Sequence, residues 1–234
     1  MTDPYRTADV LGPIVREHRS RASQWQVVMG LFFAVLGLFL IYLFGWPPRG
    51  WAEGSLEGGC ALFAALAWFA AWSDRGMHVV VHERGVVQHL ASKATTILFD
   101  DLESIRSEWV RVSGSPTESH TLRAANGEAI HVTHGVEKVA QLVEHVRSRT
   151  HDRLLKAAVD AILAGERVRF GPIEACSEGL VVGEDVVAWS GVALGLEHGR
   201  LRIAGAGEVE VKEIPNLFVL LALPDAIHTH AALG

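Results

Sequence analysis

Two apolar stretches near the N-terminus constrain this chain more than anything else in it. Val27 to Phe44 carries no charged side chain and is rich in Leu, Phe and Val. Extended from Trp25 to Trp46, at about 1.5 Å rise per residue, it matches the roughly 30 Å of hydrocarbon in a bilayer. The second stretch runs from Gly58 to Trp72 behind Glu57, and Pro47, Pro48 and Gly50 break the chain between the two. Trp25, Trp46, Trp51, Trp68 and Trp72 fall in or beside this region, where an interfacial aromatic belt belongs. The expectation is a transmembrane helical hairpin over residues 25–72. It is preferred to a buried soluble hairpin or a re-entrant segment because the first stretch is so long and uniform. A cleaved signal peptide fits worse, since no small-residue cleavage site follows.

Positive charge near the span ends sets the expected orientation. Arg16, Arg19 and Arg21 precede the first span and Arg75 follows the second, while the intervening turn has only Arg49, offset by Glu53. Both termini are therefore expected on the cytoplasmic side of an inner membrane. Gly30 with Ala34, and Ala61 with Ala65, are small residues at helical spacing that permit close approach. Packing within the hairpin is their favoured use, and assembly into a homo-oligomer the less favoured one.

From Ser73 onward the chain has 16 Lys and Arg against 22 Asp and Glu, a net charge of −6. An acidic part gains nothing from long-range attraction to nucleic acid, which excludes that class of partner. Cys60 and Cys176 are too few for a disulfide framework and have no metal-motif spacing.

Hydrophobic period two dominates this part. Strands are expected at 79–82, 85–90, 95–99, 105–112, 121–124 and 129–133, the last two flanking Asn126-Gly127, a hairpin signal that asks for positive φ at both central positions. Helical spacing follows from Val136 to Leu163, with a break or kink at Thr150-His151-Asp152 and a C-terminal cap at Gly165. A second group of strands is expected at 167–170, 173–176, 179–182, 186–189, 193–197, 201–204 and 209–212. A second helix opens with Pro215 in its first turn and runs from Asn216 to Leu223, stopping before Pro224. The expected division is a cytoplasmic segment 1–24, the hairpin 25–72, a first unit 75–149, a connecting helix 150–165 and a shorter second unit 166–234.

The two strand groups read as an internal repeat. Glu83-Arg84-Gly85-Val86-Val87 aligns with Ser177-Glu178-Gly179-Leu180-Val181, and Ile97-Leu98-Phe99-Asp100-Asp101-Leu102 with Val187-Ala188-Trp189-Ser190-Gly191-Val192. Antiparallel sheets each closed by a C-terminal helix resemble the pleckstrin-homology superfold in its bacterial branch. The run from Gly165 to Pro172, with Glu213-Ile214-Pro215-Asn216-Leu217-Phe218-Val219-Leu220-Leu221-Ala222-Leu223, resembles an uncharacterised bacterial family of small membrane proteins. These resemblances imply a membrane-anchored α+β architecture and no particular activity.

No catalytic, cofactor or metal set emerges. His131-x-x-His134 straddles a strand end without a carboxylate or thiol at ligand spacing. Adjacent Asp100 and Asp101 would point to opposite faces of a strand. Ser, His and Asp have no strand–Gly-x-Ser-x-Gly–helix setting for a triad. Arg167 with Arg169, and Arg200 with Arg202, are spaced by two on expected strands. Together they could form an anion- or lipid-binding patch, although cross-strand pairing with Glu208 and Glu210 is the favoured reading. The expected function is a membrane-tethered, non-enzymatic binding or scaffold module acting on an unknown protein partner. The alternative is a sensor whose β domain binds a small ligand or lipid headgroup and controls assembly of the spans.

Overall fold

The computed structural model describes residues 10–19, 22–44, 59–66, 68–69, 78–90, 93–112, 115–133 and 136–233. Fourteen strands are described among them, in four antiparallel sheets. One four-stranded sheet has the order β1 (Ile14–Arg19), β2 (His78–His82), β3 (Gly85–Leu90), β4 (Lys93–Leu98). A three-stranded sheet follows, β5 (Leu102–Val112), β6 (Ser115–Ala124), β7 (Ala129–Val132), and then a long helix. The series then repeats. A four-stranded sheet is built from β8 (Val168–Phe170), β9 (Ile173–Cys176), β10 (Gly179–Val182) and β11 (Asp185–Ala188). A three-stranded sheet is built from β12 (Leu194–Glu197), β13 (Arg200–Ile203) and β14 (Gly207–Glu210), and another helix ends the chain.

Two glycines aligned by the internal repeat do the same job in both halves. Gly85 starts β3 opposite Leu98, and Gly179 starts β10 opposite Ala188. A Cβ on Gly85 would lie 2.5 Å from the Ile97 carbonyl oxygen, and one on Gly179 would collide with that of Val187. Both sites need a residue without a Cβ because the backbone of the next strand passes directly over it.

Helix α1 (Ala22–Phe44) and the helical residues 59–66 occupy the stretch between β1 and β2. Among the described residues no helix is long and apolar enough to cross a membrane. A span needs about 20 consecutive apolar residues. The second helical run, residues 59–66, is far short of that. The expected transmembrane hairpin is thereby corrected, and with it the membrane-anchored fold class and the inner-membrane location. The turn at 45–58, with Trp46, Pro47, Pro48, Gly50 and Trp51, lies outside the described residues, as does Trp72. Contact between the helices also differs from expectation. Phe33 stacks on Phe63 at 5.3 Å between ring centroids and Gly37 lies against Cys60, whereas of the four small residues expected at the contact Gly30 is buried and Ala34, Ala61 and Ala65 are exposed.

The segment expected to flank the first span is instead β1. It pairs antiparallel with β2 in a register that sets Arg19 opposite His78, so the chain leaves the sheet and re-enters it at one point. β1 carries Arg16, Glu17, His18 and Arg19, a density of charge that hides its strand character in sequence.

Helix α2 (Val139–Leu163) runs unbroken through Thr150-His151-Asp152. The expected break came from the polar Thr150, which is buried but satisfied, its hydroxyl donating to the Val146 carbonyl at 2.9 Å. Leu142, Val146, Thr150, Leu154, Ala158 and Ile162 form one stripe at i, i+4 spacing. Its first half packs with Val79, Ile97, Leu122 and Ile130, and its second half with Ile173, Leu180, Trp189 and Leu201. Gly165 caps the helix as expected, in the left-handed region, with its N–H on Ile162 O and that of Glu166 on Ala161 O. At Asn126-Gly127 the hairpin is present with a different turn, since only Gly127 has positive φ. A type I turn followed by a left-handed glycine replaces the expected primed turn.

Helix α3 (Leu217–Leu233) passes through Pro224 rather than stopping before it, and buries Val219, Leu220 and Leu223. Its first turn is joined to the first half of the molecule by one residue. Asn216 donates its N–H to Ile105 O, accepts the Ile105 N–H on Oδ1 and donates Nδ2–H to Glu103 O, each at 2.8 Å. Asn216 thus bonds β5 as a neighbouring strand would, while its own carbonyl accepts the N–H groups of Val219 and Leu220. Its φ of 52° is the left-handed conformation that Asn tolerates better than most residues. Phe218 packs against both hydrophobic cores.

Asn216→Gly removes two side-chain hydrogen bonds and should cost about 1–3 kcal/mol in urea unfolding. Asn216→Ala adds the left-handed penalty of about 1–2 kcal/mol and should be the less stable of the two. An Ala variant as stable as the Gly variant would contradict this account of the joint.

Candidate functional site

β1 is an edge strand among the described residues, and its inner face looks across at the N-terminal half of α2. Between them lies a cavity of about 540 Å³ lined by Val15, Arg16, His18 and Val81 on the sheet and by Ala140, Gln141, Glu144 and His145 on the helix. Two polar contacts bridge strand and helix region. The Arg16 guanidinium donates to Gln141 Oε1 at 2.9 Å, and His18 Nδ1 donates to the Glu137 carbonyl at 2.7 Å. His18 is 1% exposed. Because a carbonyl only accepts, the proton of a neutral His18 ring sits on Nδ1, and Nε2 keeps its lone pair. Among the described residues that Nε2 is buried with no hydrogen-bond partner, and so is His145 Nε2. Burial, Arg149, Arg16 and His18 hold the His145 pKa below the ordinary imidazole value. The wall therefore offers one unused acceptor, on His18, beside a charged guanidinium.

A second cluster joins β5, β6 and α2. Ser107 lies opposite His120 in register, and its hydroxyl donates to His120 Nδ1 at 2.9 Å while accepting from Arg147 Nη2 at 3.0 Å. His120 Nε2 is 3.4 Å from Glu118 Oε2, a contact that is electrostatic rather than a well-formed hydrogen bond. The residue types are those of a serine nucleophile, base and acid, yet Ser107 is buried and the guanidinium covers its oxygen. A nucleophile needs a substrate carbonyl in that place. The cluster instead clamps α2 to the β5–β6 hairpin, with Arg147 lying over the Phe218 ring at 5.9 Å.

Of the four arginines expected as a patch, Arg169 lies on β8 with Arg167 just before it, and Arg200 and Arg202 lie on β13 of a different sheet. Arg167 and Arg169 both reach Glu174, at 3.2 and 2.8 Å, and Arg200 reaches Glu208 at 3.4 Å. Arg202 faces Glu208 in register. Each side chain thus has a carboxylate near it or across the strand. Asp100 and Asp101 lie in the turn between β4 and β5. His131 shares a hydrogen bond with Thr121 Oγ1, and His134 lies outside the described residues. Among the described residues no group of three or more His, Cys, Asp or Glu is placed to hold a metal ion. Both cysteines are free, and Cys176 lies in the second core region with its carbonyl accepting from Trp189 Nε1 at 3.0 Å.

These features can be set beside known proteins. The chain belongs to the DUF6585 family. The family model, described as a family of unknown function, matches residues 1–232. No curated protein and no solved structure matches the chain. The resemblance to an uncharacterised family is thus refined to DUF6585, and the expected pleckstrin-homology assignment finds no support. The DUF6585 chain is described by its own sheets and helices. Sequence reading missed both sites for one reason: Arg16 and Gln141 are 125 positions apart, and Ser107 meets His120 only through the β5–β6 register.

One buried and two half-buried histidines give this chain a pH signature. His120 is held below the ordinary imidazole pKa first by burial and then by Arg147, against the opposing pull of Glu118. His145 and His89 are lowered as well, each first by burial. Below pH about 6.5 the unfolded chain therefore binds protons that the folded chain does not. Stability should be fully present above that pH and fall as the pH drops, and urea midpoints at pH 7.5 and 5.5 measure the loss. His120→Gln should show a smaller loss, and an equal one would remove His120 from the account.

Proposed function

We propose that this protein is a non-enzymatic binding module that holds an extended segment of a partner protein between β1 and α2. The observation that carries this reading is the cavity along β1, an edge strand among the described residues. An edge strand presents a row of backbone donors and acceptors that an incoming strand can pair with, and side-chain pockets beside it supply selectivity. Val15, Val81 and Ala140 give the groove apolar floor and walls, and Arg16, Gln141 and Glu144 give it a polar rim. Ile14 and Val15 on β1 are 65% and 45% exposed, apolar surface that an added strand would cover. Catalysis is not favoured, because among the described residues the arrangement with catalytic residue types, Ser107 with His120 and Glu118, is closed by Arg147.

A displayed library of random linear peptides, selected on the full chain and measured by fluorescence polarisation, tests the proposal. Ala140→Trp fills the groove from an exposed helix position and should weaken selected peptides by about tenfold or more, which is about 1.4 kcal/mol. Arg202→Ala, on the far sheet, should leave them unchanged. Peptides that bind the groove-filled chain as well as the unmodified one would refute the proposed site.

A further inference from the structure

The unused acceptor of His18 says what an occupant of the groove must bring. A buried imidazole nitrogen left without a donor is costly, of the order of 1–3 kcal/mol, and polar groups that are buried are normally paired. His18 Nε2 is in that condition among the described residues, and His18 lines the cavity together with His145. The His18 ring cannot turn over to escape, because Nδ1 is held on the Glu137 carbonyl at 2.7 Å. What approaches must therefore donate a hydrogen bond.

Charge narrows the donor further. Arg16 lines the groove, and Arg149 acts on His145 from the next turn of α2. Glu144 lines the same cavity, but a lysine or arginine seated at His18 would also sit beside Arg16, two residues away on the same face of β1, where like charges repel. A carboxylate or phosphate would face the lone pair of the neutral His18 ring. An uncharged donor meets neither obstacle. Its place follows from the sheet: residues of an added strand alternate between faces, and those level with Arg16 and His18 on the inner face project towards α2.

Resting on the proposed reading of the groove as a peptide site, we infer that it selects an extended segment bearing one uncharged hydrogen-bond donor, a carboxamide or a hydroxyl, and that His18 is the residue that reads it. The remaining positions of the segment are read by backbone pairing and apolar contact. Selectivity of this kind is steep, since an occupant with an apolar residue at that position leaves His18 Nε2 buried and unpaired.

Peptides selected on the unmodified chain should share one position restricted to Asn, Gln, Ser or Thr. Replacing it with Ala should weaken binding more than tenfold on the unmodified chain and less than about twofold on His18→Leu. Because that variant also loses the bond to Glu137 O, a second reading is taken on the unmodified protein. At pH 7.5 the ¹⁵N signal of His18 Nε2 should leave the free lone-pair range when the peptide is added. Peptides that Ala140→Trp blocks, but that accept Ala at every donor position and leave the His18 signal unmoved, would overturn the inference while keeping the groove as a peptide site. Peptides indifferent to Ala140→Trp would take down both.

Discussion

The arrangement depends on one helix serving two cores. In α2 the i, i+4 stripe from Leu142 to Ile162 drifts slowly around the helix, so one continuous apolar edge can enter the first core at its start and the second at its end. A kink at Thr150 would break that geometry. Thr150 is compatible because its hydroxyl returns to the Val146 carbonyl, letting a polar side chain be buried without an external partner. The joint is completed from the other side by Asn216 and Phe218, which attach the start of α3 to β5 and fill the space between the cores. Three hydrogen bonds at one residue are a local device, but they fix the position of a whole helix because both ends of the connection are already rigid.

The groove is a consequence of how β1 reaches its sheet. β1 and β2 are neighbours although residues 20–77 separate them, and the sequence leaves and re-enters at Arg19 and His78. Closing such a loop costs entropy that rises only slowly with its length, so a long insertion at this point is tolerated. Pairing with β2 satisfies one edge of β1, while the bonds from Arg16 and His18 to the helix region hold the other side at a distance that leaves the cavity open.

Period-two patterning made most of β2 to β14 legible, because alternating Val, Ile and Leu mark one buried face and Gly, Asn and Asp mark the turns, but the polar first half of β6, Ser115 to His120, lay outside the expected 121–124. Gly165 announced its cap for an equally local reason. β1 was not legible: Arg16, Glu17, His18 and Arg19 read more naturally as charges flanking an apolar span than as a strand whose partner lies some sixty positions away. Thr150 and Pro224 misled because each is a local helix breaker that surrounding packing overrides, with Leu223 beside Pro224 fully buried. The groove itself left no trace in the sequence. His18 is an ordinary histidine until folding buries its Nε2 and brings Glu137, Gln141 and His145 alongside.

Comparison of the two halves explains why the first is the better candidate for binding. Where the first half inserts residues 20–77 between its first two strands, the second has only Gly171-Pro172 between β8 and β9. Gly171 is pressed against the Glu213 carbonyl so closely that no Cβ would fit, which seals that end of the sheet against the segment leading into α3. β8 has three residues, about 10 Å of strand, against six in β1, about 20 Å. A partner segment laid on β8 would gain half as many backbone pairings and would meet Arg167 and Arg169, which Glu174 already engages. The two halves are similar scaffolds, and the longer edge strand makes the first the better place for the proposed partner segment.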